Sequence, residues 1–473
     1  MTDFFYDRLT QLDHSFLVFE GPNAPMHVGA TQIFEAAPLR RPEGGIDLER
    51  IEAYVQSRLH RIPRYRQRLA YTPIERHPIW IDDARFNIHY HVRHTRLPRP
   101  GDERLLKRMI GRIFSQHLDR GKPLWEMWLI EGLEGDRIAV VSKIHHCMVD
   151  GISGVDLLAA LLTAEPALAG DPPHAWLARA APSAAQLARD EAERALRAPL
   201  DAASALFDIA RDEDHARERL ATRLSALGNF VTGSGGATAS STSINQPVGP
   251  YRRVDWLPMD LRRVRSVSKQ LGGTVNDVVL ATVAGGVRRF LKRARQEEVR
   301  KLDFRVMAPV SMRDASERQK LGNRVSAWMV PLPVDERDPI ARHERVRKAT
   351  AELKRSHAAL AADTVTQLTE YTGTTLLSLG ARLMDVALPF NMVVTNVPGP
   401  RDTLYLLGAK LLESHPLIPL MGHLSTGIAL MSYRDTLSWG FCADWDLVPD
   451  LHEFVLAMDH SFRKLAAAAG VGG

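Results

Sequence analysis

The chain has 473 residues, of which 45% are hydrophobic and 25% are charged, and its formal net charge is +5. This composition is typical of an ordinary globular protein, and the length is sufficient for two sizeable cores or one large domain with insertions. Lys and Arg are spread over segments of mixed sign without a long basic block, so no nucleic-acid partner is predicted.

Cysteine usage and hydropathy narrow the class of protein further. The only two cysteines, Cys147 and Cys442, exclude a disulfide framework and a zinc site built on paired cysteines. The first residues, MTDFFYDRLTQLDHSF, lack a basic segment followed by an apolar one, and no window of 18 apolar residues occurs. We therefore expect a cytoplasmic protein, with peripheral contact to a membrane or a lipid-droplet surface left open.

The first part of the chain combines helical and strand patterns. DLERIEAYVQSRLHRIPRYRQRL has the spacing of an amphipathic helix that ends near Pro63. RIAVVSKIHH alternates as a strand, with Ile138, Val140, Ile144 and His146 on one face. GISGVDLLAALL, which follows shortly after, is predicted to form a helix.

The composition changes between residues 164 and 245. A stretch rich in Ala, Arg, Asp and Glu predicts a helix, and TGSGGATASSTS predicts a flexible loop after it. We interpret 164–245 as a helical connector between a first half, 1–163, and a second half, 246–473. A helix lying on a membrane surface is the alternative, but the interleaved acidic residues argue against it.

The second half again mixes helices and strands. DLRRVRSVSKQLGG and TVNDVVLATVAGGVRRFLKRA predict two helices separated by a glycine pair, and Thr274 with Asp277 predicts a capping box at the second start. DFRVMAPVSM, RVSAWMVPLPV and NMVVTNVPGP are strand-like, and TGIALMSYRDTLSWGFCADW predicts two strands joined at Arg434 and Asp435. Because both halves mix strands with helices, the predicted fold class is α/β.

The stretch HHCMVDG at the end of the predicted strand carries several groups capable of chemistry. The neutral imidazole of His145 or His146 can take a proton from a hydroxyl as a general base. Asp150 can fix the loop through an ion pair or backbone hydrogen bonds, and Gly151 permits close approach of a substrate because it has no Cβ. The complete pattern is rare by chance, which favours a functional role over a pair of core histidines.

Two other chemistries are compatible with these residue types. A metal site formed by His145, His146 and Asp150 is disfavoured because adjacent residues of a strand point to opposite faces. For the same reason Cys147 would not face His146, which argues against a thiol nucleophile. No metal site is predicted.

HHCMVDG matches the signature of the coenzyme-A-dependent acyltransferase superfamily, which includes chloramphenicol acetyltransferase and the condensation domains of peptide synthetases. Further stretches between about residue 9 and about residue 450 resemble the bacterial wax ester synthase/diacylglycerol acyltransferase family: LDHSFLVFEGPNAPMHVGA, PLWEMWLIEGL, INQPVGPYRR, GGTVNDVVLATVAGGVRRFL, LGNRVSAWMVPLPV and TNVPGP. Only Trp439 and Gly440 remain of the Asp-Phe-Gly-Trp-Gly pattern of condensation domains, which argues against a peptide-synthetase role.

The resemblance implies two chloramphenicol-acetyltransferase-like halves, each a mixed sheet with flanking helices, with the active site in a channel between them. It implies transfer of a long-chain acyl group from acyl-CoA to the hydroxyl of diacylglycerol or of a long-chain fatty alcohol. Acyl-CoA is then a cosubstrate, and no further cofactor is expected. The sequence predicts neither the oligomeric state nor the chain-length preference.

The resemblance also implies roles for residues of the HHCMVDG stretch. The second histidine, His146, would be the general base, and His145 would support it. Asp150 would be structural and paired with an arginine, for which Arg66 is favoured over the nearby Arg64 and Arg68, and Gly151 would keep the channel open.

Outside that stretch, the resemblance places Asn276 and Asp277 near the active site. Asn276 could donate a hydrogen bond to the oxyanion or to the acyl carbonyl, whereas helix capping is an equal alternative that suits Asp277. Trp125 is interpreted as a core residue, and Pro398–Pro400 as a rigid turn. Two further functions remain: a lipid-binding protein without catalysis, and acylation of a secondary-metabolite hydroxyl.

Overall fold

The computed structural model describes residues 5–148, 160–172, 174–211, 239–311, 325–355 and 389–472. The strands in these ranges are β1 Asp7–Arg8, β2 His27–Glu35, β3 Gln67–Tyr71, β4 Pro78–Asp82, β5 Val92–Arg96, β6 Trp125–Leu133, β7 Arg137–His145, β8 Arg252–Asp260, β9 Phe304–Ser311, β10 Val325–Leu332, β11 Met392–Val397, β12 Tyr405–Leu406, β13 Ala409–Leu417, β14 Thr426–Tyr433 and β15 Thr436–Asp444. The helices are α1 Gln11–Phe19, α2 Leu48–Arg58, α3 Ile88–His91, α4 Glu103–Ser115, α5 Ala184–Arg211, α6 Leu261–Leu271, α7 Val275–Arg293, α8 Pro339–Arg355 and α9 Leu451–Ala468.

The strand that ends in the two histidines lies in the middle of a six-stranded sheet with the order β12-β13-β2-β7-β6-β5. Ile138, Val140 and Ile144 of β7 are buried in one core cluster, while Ala139 and Val141 face a second one. The predicted alternation is confirmed for these residues. It is wrong for His146, because β7 ends one residue earlier and a short 3-10 turn begins there.

The second six-stranded sheet has the order β10-β9-β11-β14-β15-β8, and α7 and α9 pack together in its core. The strands predicted in the second half are confirmed, including the hairpin whose turn contains Arg434 at φ 53°. The predicted helix pair is also confirmed, since Gly272 and Gly273 separate α6 from α7 with positive φ angles. The expected α/β class with two mixed sheets is therefore observed.

The two six-stranded sheets are interlocked by strands from late in the chain. Strand β13 follows β11 in sequence but pairs with β2 of the first sheet. Strand β15 of the second sheet crosses against it so closely that a Cβ on Gly440 would lie 1.7 Å from the carbonyl oxygen of Pro416. Only glycine fits there without displacing a backbone. The boundaries predicted at residues 163 and 245 stay a prediction.

A small sheet with the order β1-β4-β3 follows the helix that was predicted to end near Pro63 and that ends five residues earlier. Helix α2 ends at Arg58, two 3-10 turns follow, and Gln67–Tyr71 pairs with β4 instead. The extended pairing buries Leu69 in the same core cluster as Ile138, Val140 and Ile144, which is the first core. The strand Gln67–Tyr71 was not predicted from the sequence.

The connector includes the predicted helix, α5, which spans Ala184–Arg211. Ahead of it, the Arg179 guanidinium binds both carboxylate oxygens of Asp82 at 2.8 and 2.9 Å. The carboxylate of Glu191 accepts backbone hydrogen bonds from Ile74 and Glu75, which docks the helix on the small sheet. Residues 151–159 of the helix predicted over 151–162, and residues 232–238 of the loop predicted over 232–243, lie outside the described residues. Within the described ranges, no helix combines the length and apolar character needed to cross a membrane.

Candidate active site around His145 and His146

Backbone hydrogen bonds fix the end of β7 from two sides. His145 N–H donates to the carbonyl of Leu124 at 2.9 Å, and His146 N–H donates to the carbonyl of Met26 at 2.8 Å. The chain then turns through His146–Met148 in a 3-10 conformation. The turn separates the two imidazoles, so each has its own surroundings.

His145 is buried, and its imidazole contacts the turn rather than the solvent. Its Nδ1 accepts a hydrogen bond from the backbone N–H of Cys147 at 3.1 Å, so in the neutral ring Nε2 carries the proton. That Nε2 lies 3.4 Å from Oε1 of Glu20, which is a charge–dipole contact rather than a short hydrogen bond. His145 therefore links the turn that carries His146 to an acidic residue at the end of α1, and its supporting role stays a prediction.

Glu20 is the centre of a buried cluster that the sequence did not indicate. Its Oε2 accepts two hydrogen bonds from the Arg120 guanidinium, at 2.7 and 3.0 Å. Oε1 lies 3.4 Å from His117 and 3.8 Å from His27, in addition to His145. Burial opposes the charge, but the contacts with His145 and Arg120 outweigh it and hold the pKa of the Glu20 carboxyl well below its usual range. Glu20 is therefore ionised at neutral pH.

His146 is partly buried and lies flat against Phe16 of α1, with ring centroids 3.7 Å apart and an interplanar angle of 17°. Burial lowers the pKa of His146 to about 4, and nearby His145 adds to this effect. The ring is thus neutral at pH 7, and one nitrogen of a neutral imidazole carries a lone pair, as a general base needs.

The other groups of HHCMVDG are distributed as follows. Asp150 and Gly151 lie outside the described residues. Cys147 is buried, and burial raises the pKa of its thiol well above the usual range, so it remains protonated and is a poor nucleophile. Among the described residues, no group of three or more His, Cys, Asp or Glu side chains is arranged to hold a metal ion.

Arg66, the favoured partner of Asp150, is buried beside the connector. Its guanidinium donates to the carbonyl of Gln56 at 2.9 Å and lies over the ring of Trp176 at 5.1 Å. Of its two competitors, Arg64 contacts Asp7 and Gln67, and Arg68 donates to the carbonyl of Leu69. The pairing with Asp150 stays a prediction.

Asn276 and Asp277 lie in the first turn of α7, in the second sheet unit. Asp277 Oδ2 accepts hydrogen bonds from the backbone and hydroxyl of Thr274, and Oδ1 accepts one from the hydroxyl of Thr350 at 2.6 Å. The predicted capping box is therefore present, and both carboxylate oxygens are engaged in it or in the link to α8. Asn276 is only partly buried, and its role as an oxyanion donor stays a prediction.

The face of the sheet next to His145 carries further buried charges. The Lys143 ammonium is fully buried 3.7 Å from Glu126, and burial lowers the pKa of Lys143 to about 8. Glu126 also binds Arg93 at 3.1 Å. Trp125 on the opposite face is fully buried, and its indole N–H donates to the carbonyl of Tyr65, so its interpretation as a core residue is confirmed.

Phe16 and Glu20 contact the two histidines but were not predicted from the sequence as residues of the site. Both belong to LDHSFLVFEGPNAPMHVGA, which contributed to the resemblance but received no residue roles. The available signal was that an acidic residue, Glu20, and an aromatic residue, Phe16, lie within one family-like motif. Their wide separation from His146 along the chain hid the contact, since local spacing says nothing about long-range packing.

Comparisons with known proteins give a consistent result. Residues 9–279 match the family model described as the wax ester synthase/diacylglycerol acyltransferase catalytic domain, and residues 321–466 match that of the WS/DGAT C-terminal domain. The Mycobacterium tuberculosis protein named "Probable diacyglycerol O-acyltransferase tgs1" is 31% identical over 490 residues, which cover 98% of this chain and 96% of that protein.

Solved structures agree with the family models. The wax ester synthase/diacylglycerol acyltransferase from Marinobacter aquaeolei VT8 is 26% identical, with a TM-score of 0.68 over 98% of this chain and all of that chain. The first condensation domain of the CDA synthetase is 18% identical, with a TM-score of 0.59 over 98% of this chain and 97% of that one, and is similar in fold alone.

Proposed function

The chain belongs to the wax ester synthase/diacylglycerol acyltransferase family, and we propose that it moves a long-chain acyl group from acyl-CoA to the hydroxyl of diacylglycerol or of a fatty alcohol. The products would be triacylglycerol or a wax ester, and His146 would be the general base. Its family shows that the chain is an acyltransferase. The identity of the acceptor and the role of His146 as the base are proposed here.

The state of His146 is the observation that carries the base assignment. A histidine can take a proton only if it is neutral and if one ring nitrogen is free. Burial with a pKa of about 4 keeps His146 neutral, and one nitrogen of a neutral imidazole carries a lone pair. His145, by contrast, uses Nδ1 for the turn and turns Nε2 towards Glu20.

The proposed reaction needs no covalent acyl-enzyme. Nε2 of His146 accepts the proton of the acceptor hydroxyl while its oxygen forms a bond to the thioester carbonyl carbon. The tetrahedral oxyanion then collapses, the C–S bond breaks, and the proton on His146 passes to the CoA thiolate. The products are the ester and CoA with a free thiol, and general base catalysis of this kind contributes about 10²–10⁴-fold.

Asn276 is proposed to donate a hydrogen bond to the oxyanion. Loss of a well-aligned oxyanion donor costs about 10²–10³-fold in kcat, and we expect about 10-fold for Asn276→Ala because this side chain is partly exposed. Its neighbour offers a matched control. Asp277→Ala should lower the free energy of unfolding by about 1–2 kcal/mol through loss of the cap, with a smaller change in kcat. Equal kcat for Asn276→Ala and the wild type would contradict the assignment of Asn276.

The acceptor is tested by release of the CoA thiol from palmitoyl-CoA with hexadecanol, with dipalmitoylglycerol and with no acceptor. Release that depends on an acceptor, with the ester recovered by chromatography, would support the proposal and rank the two alcohols. Release that stays at the no-acceptor level with both alcohols would contradict it. The acceptor would then have to be a different hydroxyl, such as that of a secondary metabolite.

A further inference from the structure

A general base works only if its ring is held in one orientation, and the way His146 is held is unusual. In many enzymes a carboxylate accepts a hydrogen bond from the second ring nitrogen of the catalytic histidine. Among the described residues, Nδ1 of His146 is buried and has no hydrogen-bond partner. No hydrogen bond on that nitrogen therefore restrains the imidazole against rotation.

The neighbour that does contact the ring is Phe16, stacked nearly parallel at 3.7 Å. We propose that Phe16 is a positioning residue for acyl transfer, whose aromatic face fixes the plane of the His146 imidazole and excludes water from one side of it. This inference rests on the proposed function, because it presupposes that His146 is the base. Stacking occupies a face of the imidazole and leaves the ring edge with Nε2 open to a substrate.

Phe16 is itself held firmly enough to perform this role. Helix α1 is capped by Thr10, whose hydroxyl oxygen accepts the N–H of Asp13, and it packs against the 3-10 turn that begins at His146. The carbonyl of Phe16 accepts the N–H of Glu20, so a helical hydrogen bond ties the backbone of Phe16 to the Glu20 cluster. Phe16 also packs against the first core, which restricts its ring.

The geometry predicts two separable effects of the ring. A flat aromatic surface restricts rotation of the imidazole, and only another flat side chain can restrict it in the same way. Apolar cover keeps the imidazole desolvated and therefore neutral, which any large apolar side chain can supply. Leucine should preserve the second effect and lose the first, whereas alanine should lose both.

The substitutions of Phe16 leave the charges near His146 unchanged. A shift in the pH dependence of the rate would therefore result from the loss of the apolar side chain that covers the imidazole. His145 on β7 acts on His146 itself, and the charged groups that act on the adjacent Cys147 are Asp13 on α1, Glu20 directly after α1, Arg120 and Arg64. Of these, His145 acts on the pKa of His146, and it does so by lowering it.

The experiment compares Phe16→Tyr, Phe16→Leu and Phe16→Ala with the wild type, using CoA release between pH 5 and 8. We expect Phe16→Tyr to retain kcat within about threefold and Phe16→Leu to lose roughly 10-fold in kcat with little change in KM for acyl-CoA. Phe16→Ala should in addition show an acid limb near pH 6.5, so that its relative rate at pH 5.5 falls to roughly a tenth. Phe19→Leu on the same helix is the control for general damage to α1.

The outcomes separate the inference from the function on which it rests. Wild-type kcat and an unmoved acid limb in both Phe16→Leu and Phe16→Ala would overturn the role of Phe16, and so would an equal loss in Phe19→Leu. His146→Ala, assayed in parallel, tests the base alone. An inactive His146→Ala with unaffected Phe16 variants would leave the proposed function standing without this inference, whereas an active one would remove the base assignment itself.

Discussion

Replacing His146 with alanine is expected to lower acceptor-dependent CoA release by about 10²-fold or more while the protein stays folded. The substitution removes the whole contribution of the base, which is about 10²–10⁴-fold for a positioned imidazole. The fold should persist because the backbone hydrogen bond from His146 to Met26 does not depend on the side chain. The measurement is the initial rate of CoA release, with circular dichroism to verify folding.

An exposed histidine provides the control for this result. His89 has 70% of its side chain exposed, and His89→Ala should leave the rate unchanged. A rate above about a tenth of the wild-type value in His146→Ala would contradict the base assignment. In the wild type, the rate should stay level from pH 8 down to about pH 5, since a base with a pKa of about 4 remains neutral over that range.

Local pattern was a reliable guide wherever a residue's role depends on its near neighbours. The alternation of Ile138, Val140 and Ile144 predicted β7, and the spacing of Thr274 and Asp277 predicted the capping box. Both follow from periodicity or from a turn of three residues. The same reasoning overextended the strand by one residue at His146, because the 3-10 turn there depends on Met26 from another segment.

What the sequence could not provide is the set of contacts between distant segments. Phe16 meets His146 only because α1 packs on the turn after β7, and Glu20 meets Arg120 through a loop that follows α4. Strand β13 illustrates the same limit at the level of topology, since its entry into the first sheet requires the close crossing at Gly440. These contacts are set by tertiary packing, so no local period encodes them.

The Glu20 cluster leads to the largest effect that we expect on stability. Glu20→Gln removes the carboxylate that faces Arg120 and three histidines while keeping the side-chain volume. Breaking a fully buried pair costs about 3–5 kcal/mol. We expect about 2–3 kcal/mol at pH 7, because the Arg120 side chain is 40% exposed and water can partly replace its partner. The measurement is the thermal unfolding midpoint of both proteins.

The pH dependence of this difference has a definite sign. The pKa of Glu20 lies lower in the folded protein than in the unfolded chain, where it is near 4.5, so the unfolded state binds more protons between the two values. Its contribution to stability is therefore fully present above about pH 4.5 and declines as the pH falls towards the folded pKa. The midpoints of wild type and Glu20→Gln should differ most between pH 5 and 8 and converge below pH 4.5.

Exposed Glu43 supplies the matched comparison, since Glu43→Gln makes the same chemical change away from the cluster. Its midpoint should follow the wild type at every pH. A Glu20→Gln midpoint equal to that of Glu43→Gln at pH 7 would mean that burial of the Glu20 carboxylate cancels its attraction to Arg120. A difference that widened on acidification would mean that the folded pKa of Glu20 is raised, so that burial of the carboxylate outweighs its contacts with Arg120 and the histidines.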